Sequence, residues 1–210
     1  MIAGWNHIDQ LAVCVGQSWY GPGFTPTEQA SQVALWAVLA SPLIVSFDVR
    51  TMDPSCKALV LNPRVIAVHQ DKLGSPGKPL KNLGHLNTSS TSTSTSSTAI
   101  AGADTGVDGQ QQQQGSGGGG GIGAQVWGRA LAGGGVAAVF FNRGEVARDI
   151  SATFTELGLP GDDDINAAAA VPVVRAVDVW SGKVHGKVES PFTALAVPPH
   201  AAVFITFTTE

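Results

Sequence analysis

The chain of 210 residues carries a net charge of −4, and 43% of its residues are hydrophobic. Its 12 Lys and Arg residues are not clustered, which argues against binding to nucleic acid or to anionic membrane surfaces, since both require a basic face. No apolar run reaches the ~18 residues of a membrane span, and the opening MIAGWN does not predict a signal peptide. The length predicts one domain or two small ones.

The first strong structural signal along the chain is a helix that begins after Thr25. Thr25 can cap this helix, Pro26 suits its first position, and Glu28 completes a capping box. The helix is predicted to run to about Ala40, and its second half is apolar almost all round, which predicts burial between layers. Ser41 precedes a proline and therefore ends the helix.

A short apolar run, Leu43 to Phe47, follows this helix and predicts an interior parallel strand. Asp48 and Arg50 then fall at the carboxyl end of the strand, where α/β folds place their sites. Two cap-plus-proline pairs predict short helices at about 54–61 and 63–70. This first part of the chain is therefore predicted to be α/β.

The two cysteines, Cys14 and Cys56, are too few to form a disulfide framework. A single bridge between them remains open, but two buried free thiols are the favoured interpretation. A metal site is not expected, because no histidines lie near them in the sequence. Cysteine usage therefore assigns no cellular compartment.

The middle of the chain, Leu86 to Gly123, is a low-complexity tract of Ser, Thr, Gln and Gly. It contains too little apolar surface to offset the entropy of ordering, so we expect a disordered insertion. A neutral loop expansion is favoured over an interaction tract. Asn87 begins a glycosylation sequon that would be used if the chain is secreted.

The remaining residues, 124–210, are predicted to form strands, because short and partly alternating apolar runs are separated by Gly, Pro, Asn and Asp turns. The seven predicted strands are AQVWGRAL, VAAVFFNR, RDISATFT, VVRAVDVW, KVHGKVES, FTALAVP and AAVFITFT. Strands of this length and spacing predict a small antiparallel β-sandwich.

Asp9 is the carboxylate with the strongest case for a functional role. It lies four residues after Trp5 in a stretch without helical pattern. A tryptophan beside a carboxylate suits a sugar, whose apolar face stacks on the ring while its hydroxyl groups donate to the carboxylate oxygens. The alternative is that Trp5 and Asp9 simply anchor a loop.

The other titratable residues of the first part have structural interpretations. Glu28 belongs to the capping box and Asp53 to a helix cap, while Asp48 is either a site residue or the partner of Arg50. Asp71 and His7 are given no role, and His69 is expected in the core. The sequence contains no GxSxG elbow, phosphate loop, HExxH or CxxC motif.

An ordered set of motifs covers residues 4 to 78: GWN-x-x-D-x-L, ALWA-x-x-ASPL, DVR-x-M and NP-x-VIAV-x-QD-x-LG-x-x-G-K. This set strongly resembles the α-galactosidases of glycoside hydrolase family 27. The tail resembles the C-terminal β-sandwich of that family through VWGRAL, VAAVFFNRG, VVRAVDVWSGK and VPPHAAVFI. The resemblance of the tail is less specific.

The resemblance implies a fold of α/β plus all-β class: the last part of a (β/α)8 TIM barrel followed by a small antiparallel β-sandwich. In the family, Asp9 matches the second Asp of the usual WNDPDM and lines the galactose pocket. Gln10 stands where the family usually has a pocket-lining methionine, while His7 and Ile8 replace the first Asp and the Pro. We therefore expect Asp9, Gln10 and Trp5 to bind substrate.

The family is retaining and uses an aspartate nucleophile and an aspartate acid/base, both upstream of the GWN motif. This chain has no counterpart of either, so its catalytic residues are expected upstream of Met1, with no cofactor and no metal. We expect residues 1–210 alone to be inactive, poorly stable and prone to aggregation, because the last strand of the barrel would have open edges. An incomplete gene model is the simplest interpretation.

The expected function is that of an α-galactosidase-like retaining hydrolase acting on terminal α-galactosyl groups of carbohydrates. The alternative is a non-catalytic carbohydrate-binding or scaffold protein that uses the sandwich, and a third interpretation is a truncated product without activity. The predicted domains are 1–85, the end of the barrel; 86–123, the insertion; and 124–210, the sandwich. For the full-length protein, the family implies a possible homodimer and an extracellular, vacuolar or lysosomal location.

Overall fold

A computed structural model describes residues 7–16, 22–83, 123–160 and 173–210. Its helices are α1, Pro26–Leu39; α2, Pro54–Val60; α3, Pro63–His69; and α4, Phe154–Leu157, with a 3-10 turn at Val49–Thr51. Its strands are β1, Lys78–Leu83; β2, Ala124–Ala130; β3, Val136–Asn142; β4, Arg148–Ala152; β5, Val174–Asp178; β6, Val184–Val188; β7, Phe192–Val197; and β8, Ala202–Thr209. Within the described ranges, no helix has the length and apolar character needed to cross a membrane.

The helix starts form as the sequence predicts. The Thr25 side chain accepts a hydrogen bond from the Glu28 N–H, and the Glu28 carboxylate accepts one from the Thr25 N–H, which completes the capping box of α1. The Asp53 side chain caps α2 by accepting from the Cys56 N–H, and the Asn62 side chain caps α3 by accepting from the Arg64 N–H. α1 ends at Ala40, which adopts a left-handed conformation just before Ser41.

The predicted strand from Leu43 to Phe47 is wrong. Only one parallel bridge forms there, between Leu11 and Val45, and the side chain of Ile44 is 43% exposed. A β-strand is defined by backbone pairing with neighbouring strands. Among the described residues, no segment pairs with the other edge of the run from Leu43 to Phe47. The run is extended, but it is not an interior strand in this structure.

All seven predicted strands of the tail form, and together with β1 they make two antiparallel sheets. The larger sheet has the order β1-β2-β3-β8-β5-β6, and the smaller pairs β4 with β7. β1 was not predicted from the sequence; it pairs with β2 from Lys78 opposite Gly128 to Leu83 opposite Ala124. The larger sheet therefore begins before the low-complexity tract.

The larger sheet is buried on both faces, because alternate residues of its central strands enter two different cores. Val136, Ala138 and Phe140 of β3 face the smaller sheet and α4, in a sandwich-like arrangement. Ala137 and Val139 face the opposite side, where they pack with apolar residues of α1 and α3. This second core attaches the α/β part to the sheet.

Arg129 of β2 connects the two parts through hydrogen bonds. Arg129 is 2% exposed, and its Nη1 donates to the carbonyl oxygens of Ala37, Val68 and His69 at 3.2, 2.7 and 2.9 Å. These carbonyls lie near the ends of α1 and α3, where the last backbone oxygens of a helix lack helical partners. Burial lowers the pKa of Arg129, and the negative charge of Asp71 opposes that shift.

Cys14 and Cys56 form a disulfide bond with their Cα atoms 5.8 Å apart, so the favoured prediction of two free thiols is wrong. Their pairing depends on α2 packing next to the segment around Cys14, which the spacing of two residues in the sequence does not reveal. The remaining predictions for Leu86 to Ile122 and for Trp5 lie outside the described residues.

Candidate functional site

The candidate site is the segment 7–14, which carries Asp9 and Gln10 on the α/β part of the chain. Both side chains are exposed, whereas Leu11 and Val13 are buried in the core shared with the large sheet. This alternation anchors the segment from beneath and leaves its polar residues facing solvent. Trp5, the third predicted sugar-binding residue, lies outside the described residues.

Hydrogen bonds from neighbouring loops fix the backbone of this segment. The Ile8 N–H donates to the Ser41 hydroxyl at 3.1 Å, and the Leu11 N–H donates to the Ile44 carbonyl at 2.7 Å. The Ser46 hydroxyl donates back to the Leu11 carbonyl at 2.7 Å. The segment is therefore held on both sides of Gln10.

Asp9 has a backbone φ of 70°, in the left-handed region that Asp tolerates better than most residues. Its carboxylate accepts a hydrogen bond from the Gln10 N–H at 2.9 Å, and its own N–H donates to Nδ1 of His7 at 3.1 Å. The indole N–H of Trp36 donates to the Asp9 carbonyl at 3.4 Å. One carboxylate oxygen thus shapes the turn, and the exposed group keeps further acceptor capacity for a ligand.

His7 was given no role by the sequence analysis, and the structure makes it a local turn residue. Its Nδ1 accepts a hydrogen bond from the Asp9 N–H two residues later. The hydroxyl groups of Ser41 and Ser46 hold the segment through hydrogen bonds. From the sequence, Ser41 was assigned only to the end of a helix and Ser46 to a strand. Neither serine stands out in a sequence, because its role depends on which carbonyl or N–H comes near.

The second acidic candidate, Asp48, forms an exposed ion pair with Arg50. The closest contact, from Arg50 Nη2 to Asp48 Oδ2, is 2.6 Å, and the Arg50 N–H also donates to this carboxylate. The Arg50 guanidinium lowers the pKa of Asp48. The pairing alternative raised from the sequence is confirmed, and it leaves Asp48 as a local turn residue.

An apolar groove with a cavity of about 270 Å³ lies beside the candidate segment. Its lining is apolar apart from Gln70 and consists of Leu11, Val33, Leu43, Val45, Phe47, Val49, Met52, Val60, Leu61, Ile66 and Gln70. Val49 and Leu61 at its rim are 58% and 57% exposed. Exposed apolar side chains grouped in this way are typical of interaction surfaces, ligand-binding grooves and aggregation-prone patches.

The exposed Asp9 carboxylate can accept hydrogen bonds from hydroxyl groups of a ligand. Glycoside hydrolysis requires two carboxylates that flank the scissile bond. Asp9 is the one carboxylate on the pinned segment, and Asp48 and Asp53 are engaged in local hydrogen bonds. In the described ranges, no group of three or more His, Cys, Asp or Glu side chains could hold a metal ion.

Two family models match separate parts of the chain. Residues 2–71 match the model described as alpha galactosidase A, and residues 121–207 match the alpha galactosidase C-terminal beta sandwich domain. Among curated relatives, alpha-galactosidase 2 of Arabidopsis thaliana is 30% identical over 204 residues, covering 97% of this chain and 38% of the relative. Alpha-galactosidase A of Homo sapiens is 42% identical over 79 residues, 37% of this chain and 17% of the relative.

Solved structures show the same fold. Alpha-galactosidase I from Mortierella vinacea aligns with a TM-score of 0.68 and 23% identity, covering 98% of this chain and 40% of that structure. An α-galactosidase from Saccharomyces cerevisiae, solved with raffinose, aligns with a TM-score of 0.70 and 19% identity, over 99% of this chain and 47% of that one. The chain thus spans about 38% of the length of the Arabidopsis relative and less than half of either structure.

Proposed function

We propose, from the premise that this chain belongs to the α-galactosidases of glycoside hydrolase family 27, that it supplies a sugar-binding segment and the C-terminal sandwich of a retaining glycosidase. The substrate would be a carbohydrate with a terminal α-galactosyl group. The observation that carries the proposal is the exposed Asp9 carboxylate on a pinned segment, within the residues that match alpha galactosidase A. The raffinose bound by the yeast relative supports the choice of substrate class.

In this proposal Asp9 accepts hydrogen bonds from hydroxyl groups of the galactosyl ring. The carboxylate offers about four lone-pair positions, of which the Gln10 N–H uses one. The exposed amide of Gln10 can both donate and accept, and Trp5 would offer an apolar face to the ring. Fixing the backbone before the sugar arrives reduces the entropy that is lost on binding.

The nucleophile and the acid/base of the reaction would come from residues upstream of Met1. They would form and then hydrolyse a covalent glycosyl-enzyme intermediate, as in other retaining enzymes. The apolar groove would pack against that upstream part of the barrel, which would also pair with the open edge beside Val45. Residues 1–210 alone would then have no hydrolytic activity.

The proposed role of Asp9 can be tested by substitution in the full-length protein. We expect Asp9→Asn to lower kcat/KM for p-nitrophenyl α-galactoside about 10- to 100-fold, because a charge-assisted hydrogen bond to the substrate is lost. Glu189→Gln, which removes an exposed carboxylate of the sandwich, is the matched control and should leave kcat/KM unchanged. Equal kcat/KM values for Asp9→Asn and wild type would contradict the proposed role.

Two further parts of the proposal concern the full-length protein. The Cys14–Cys56 disulfide supports folding in an oxidising compartment, in line with an extracellular, vacuolar or lysosomal location. A homodimer is proposed from the family resemblance alone, and sedimentation of the full-length protein would test it.

A further inference from the structure

The Cys14–Cys56 disulfide joins the candidate sugar-binding segment to α2 across 42 residues of sequence. Cys14 ends the segment that carries Asp9, and Cys56 lies in the first turn of α2. The disulfide therefore forms a covalent connection between two surface elements that also pack against the same core.

The disulfide involves the one fully buried side chain of α2. Among its seven residues only Cys56 is buried, with 3% of its surface exposed. Leu59 and Val60 are half-buried against the core shared with the large sheet. The cap from Asp53 is local to α2 and does not attach it to the rest of the protein.

The segment that carries Asp9 is held unevenly along its length. Its first part is fixed by Ser41, Ile44 and Ser46 through the hydrogen bonds described above. Its last residue, Cys14, is fixed by the disulfide and by one hydrogen bond from its N–H to Oε1 of Gln29 at 3.0 Å. Breaking the disulfide would leave that hydrogen bond and the packing of Cys14 against the core shared with the large sheet.

We propose that the Cys14–Cys56 disulfide is a reducible latch that positions the Asp9 segment and the α2 wall of the apolar groove. That wall consists of Val60 and the adjoining Leu61, both of which line the groove. Opening the latch loosens α2 and the segment together and leaves the sandwich folded. The link to substrate binding rests on the proposed function, but the latch itself does not.

A small dithiol reductant can open the latch by ordinary thiol–disulfide exchange. Its thiolate attacks the sulfur of Cys14, the less buried of the two residues, and the bond to Cys56 breaks with Cys56 leaving as a thiolate. The second thiol of the reductant then attacks the mixed disulfide and releases Cys14. Two protein thiols and one oxidised, cyclic reductant result, so electrons and protons balance.

Amide hydrogen exchange of residues 1–210, with and without dithiothreitol, tests the latch without any sugar. We expect exchange in residues 8–14 and 55–60 to accelerate at least about tenfold more than exchange in β3 and β8, because local opening exposes only the elements that the latch holds. The Cys14→Ser/Cys56→Ser double variant should show the fast pattern in both conditions. Acceleration by the same factor throughout the chain, or none at all, would overturn the proposal.

Ser46→Ala is the matched control for a loosened segment, since it removes only the hydrogen bond to the Leu11 carbonyl. It should accelerate exchange near Leu11 and leave α2 unchanged. If α2 opens equally in Ser46→Ala, the disulfide has no special role in coupling the two elements. The proposed latch and the proposed sugar site are tested independently. The latch is tested by hydrogen exchange, and the sugar site by the activity of Asp9→Asn.

Discussion

At the scale of single residues, the buried Arg129 joins the large sheet to the α/β part of the chain. Its buried guanidinium neutralises backbone carbonyls near the ends of two helices, where the helix dipoles concentrate partial negative charge. Its Nε atom is buried without a hydrogen-bond partner, which is a cost. The bonds of Nη1 must offset that cost together with the desolvation of the charge.

Replacing Arg129 with Met should destabilise the chain by about 2–4 kcal/mol, because three buried carbonyl groups lose a charged donor. Urea denaturation followed by tryptophan fluorescence measures the change. Arg143→Met is the matched control, since Arg143 is exposed, and it should change the free energy of unfolding by less than about 0.5 kcal/mol. Equal effects of the two substitutions would show that Arg129 does not hold the two parts together.

At the scale of secondary-structure elements, the connection from α3 to β1 passes very close to α1. The Gly77 N–H donates to the Val38 carbonyl at 2.9 Å, and a Cβ at residue 77 would lie 2.5 Å from that same oxygen. The neighbour is backbone in a buried helix, so it cannot turn aside as a flexible side chain could. The connection therefore requires glycine at this position.

Gly77→Ala should destabilise the chain by about 1–3 kcal/mol through this overlap. Gly133→Ala provides the comparison, because a Cβ at residue 133 would meet no atom within 4 Å. Thermal unfolding monitored by circular dichroism compares the two variants. A melting temperature for Gly77→Ala at or above that of Gly133→Ala would contradict the packing described here.

β1 is also tied to α4 by an ion pair between Lys81 and Glu156, with 2.8 Å between Nζ and Oε1. Lys81 holds the pKa of Glu156 below its ordinary value of 4.5. The folded state therefore binds fewer protons than the unfolded state as the pH falls through this range. The stabilisation is complete above the ordinary pKa and is lost as the pH falls through the lowered one.

Glu156→Gln should reduce stability at neutral pH by about 0.2–1 kcal/mol, and this difference should vanish at pH values well below 4.5. The substitution keeps an oxygen for the capping box with Thr153, so it mainly removes charge. Urea denaturation across the pH range measures the difference. A deficit that persists unchanged in acid would mean that the charge of Glu156 is not its source.

The caps and most strands could be predicted from sequence because their causes are local. The capping box forms between Thr25 and Glu28, which are three residues apart in the sequence. The alternating apolar runs of the tail predict strands because one face of each strand is buried. β1 was missed because KPLKNL contains two lysines and a proline, which are typical of an edge strand rather than a core one. The structure shows that it is a strand through its antiparallel pairing with β2.

The predictions that failed depend on tertiary partners. The run from Leu43 to Phe47 has the composition of a buried strand, but in the described chain only Leu11 pairs with it. The pairing of Cys14 with Cys56 and the burial of Arg129 likewise depend on which helices come together. For the candidate site, the sequence predicted Asp9 and Gln10, while their supports at Ser41 and Ser46 emerged from the fold.

At the scale of the whole molecule, the chain combines a well-packed sheet with an α/β part that is covered on one side. The core beneath α1 and α3 is continuous with the large sheet, whereas the apolar groove beside Val45 lies open. Poor stability and aggregation of residues 1–210 stay predictions that follow from this open face.

The most direct test of this account is to assay α-galactosidase activity across two purified samples. One sample is residues 1–210, and the other is the native protein recovered with an antibody against the sandwich, with its mass measured intact. We expect hydrolysis of p-nitrophenyl α-galactoside only in the native sample, by a polypeptide well above 21.5 kDa. Hydrolysis by purified residues 1–210, abolished by Asp9→Asn, would contradict the account, because this chain would then contain its own catalytic residues.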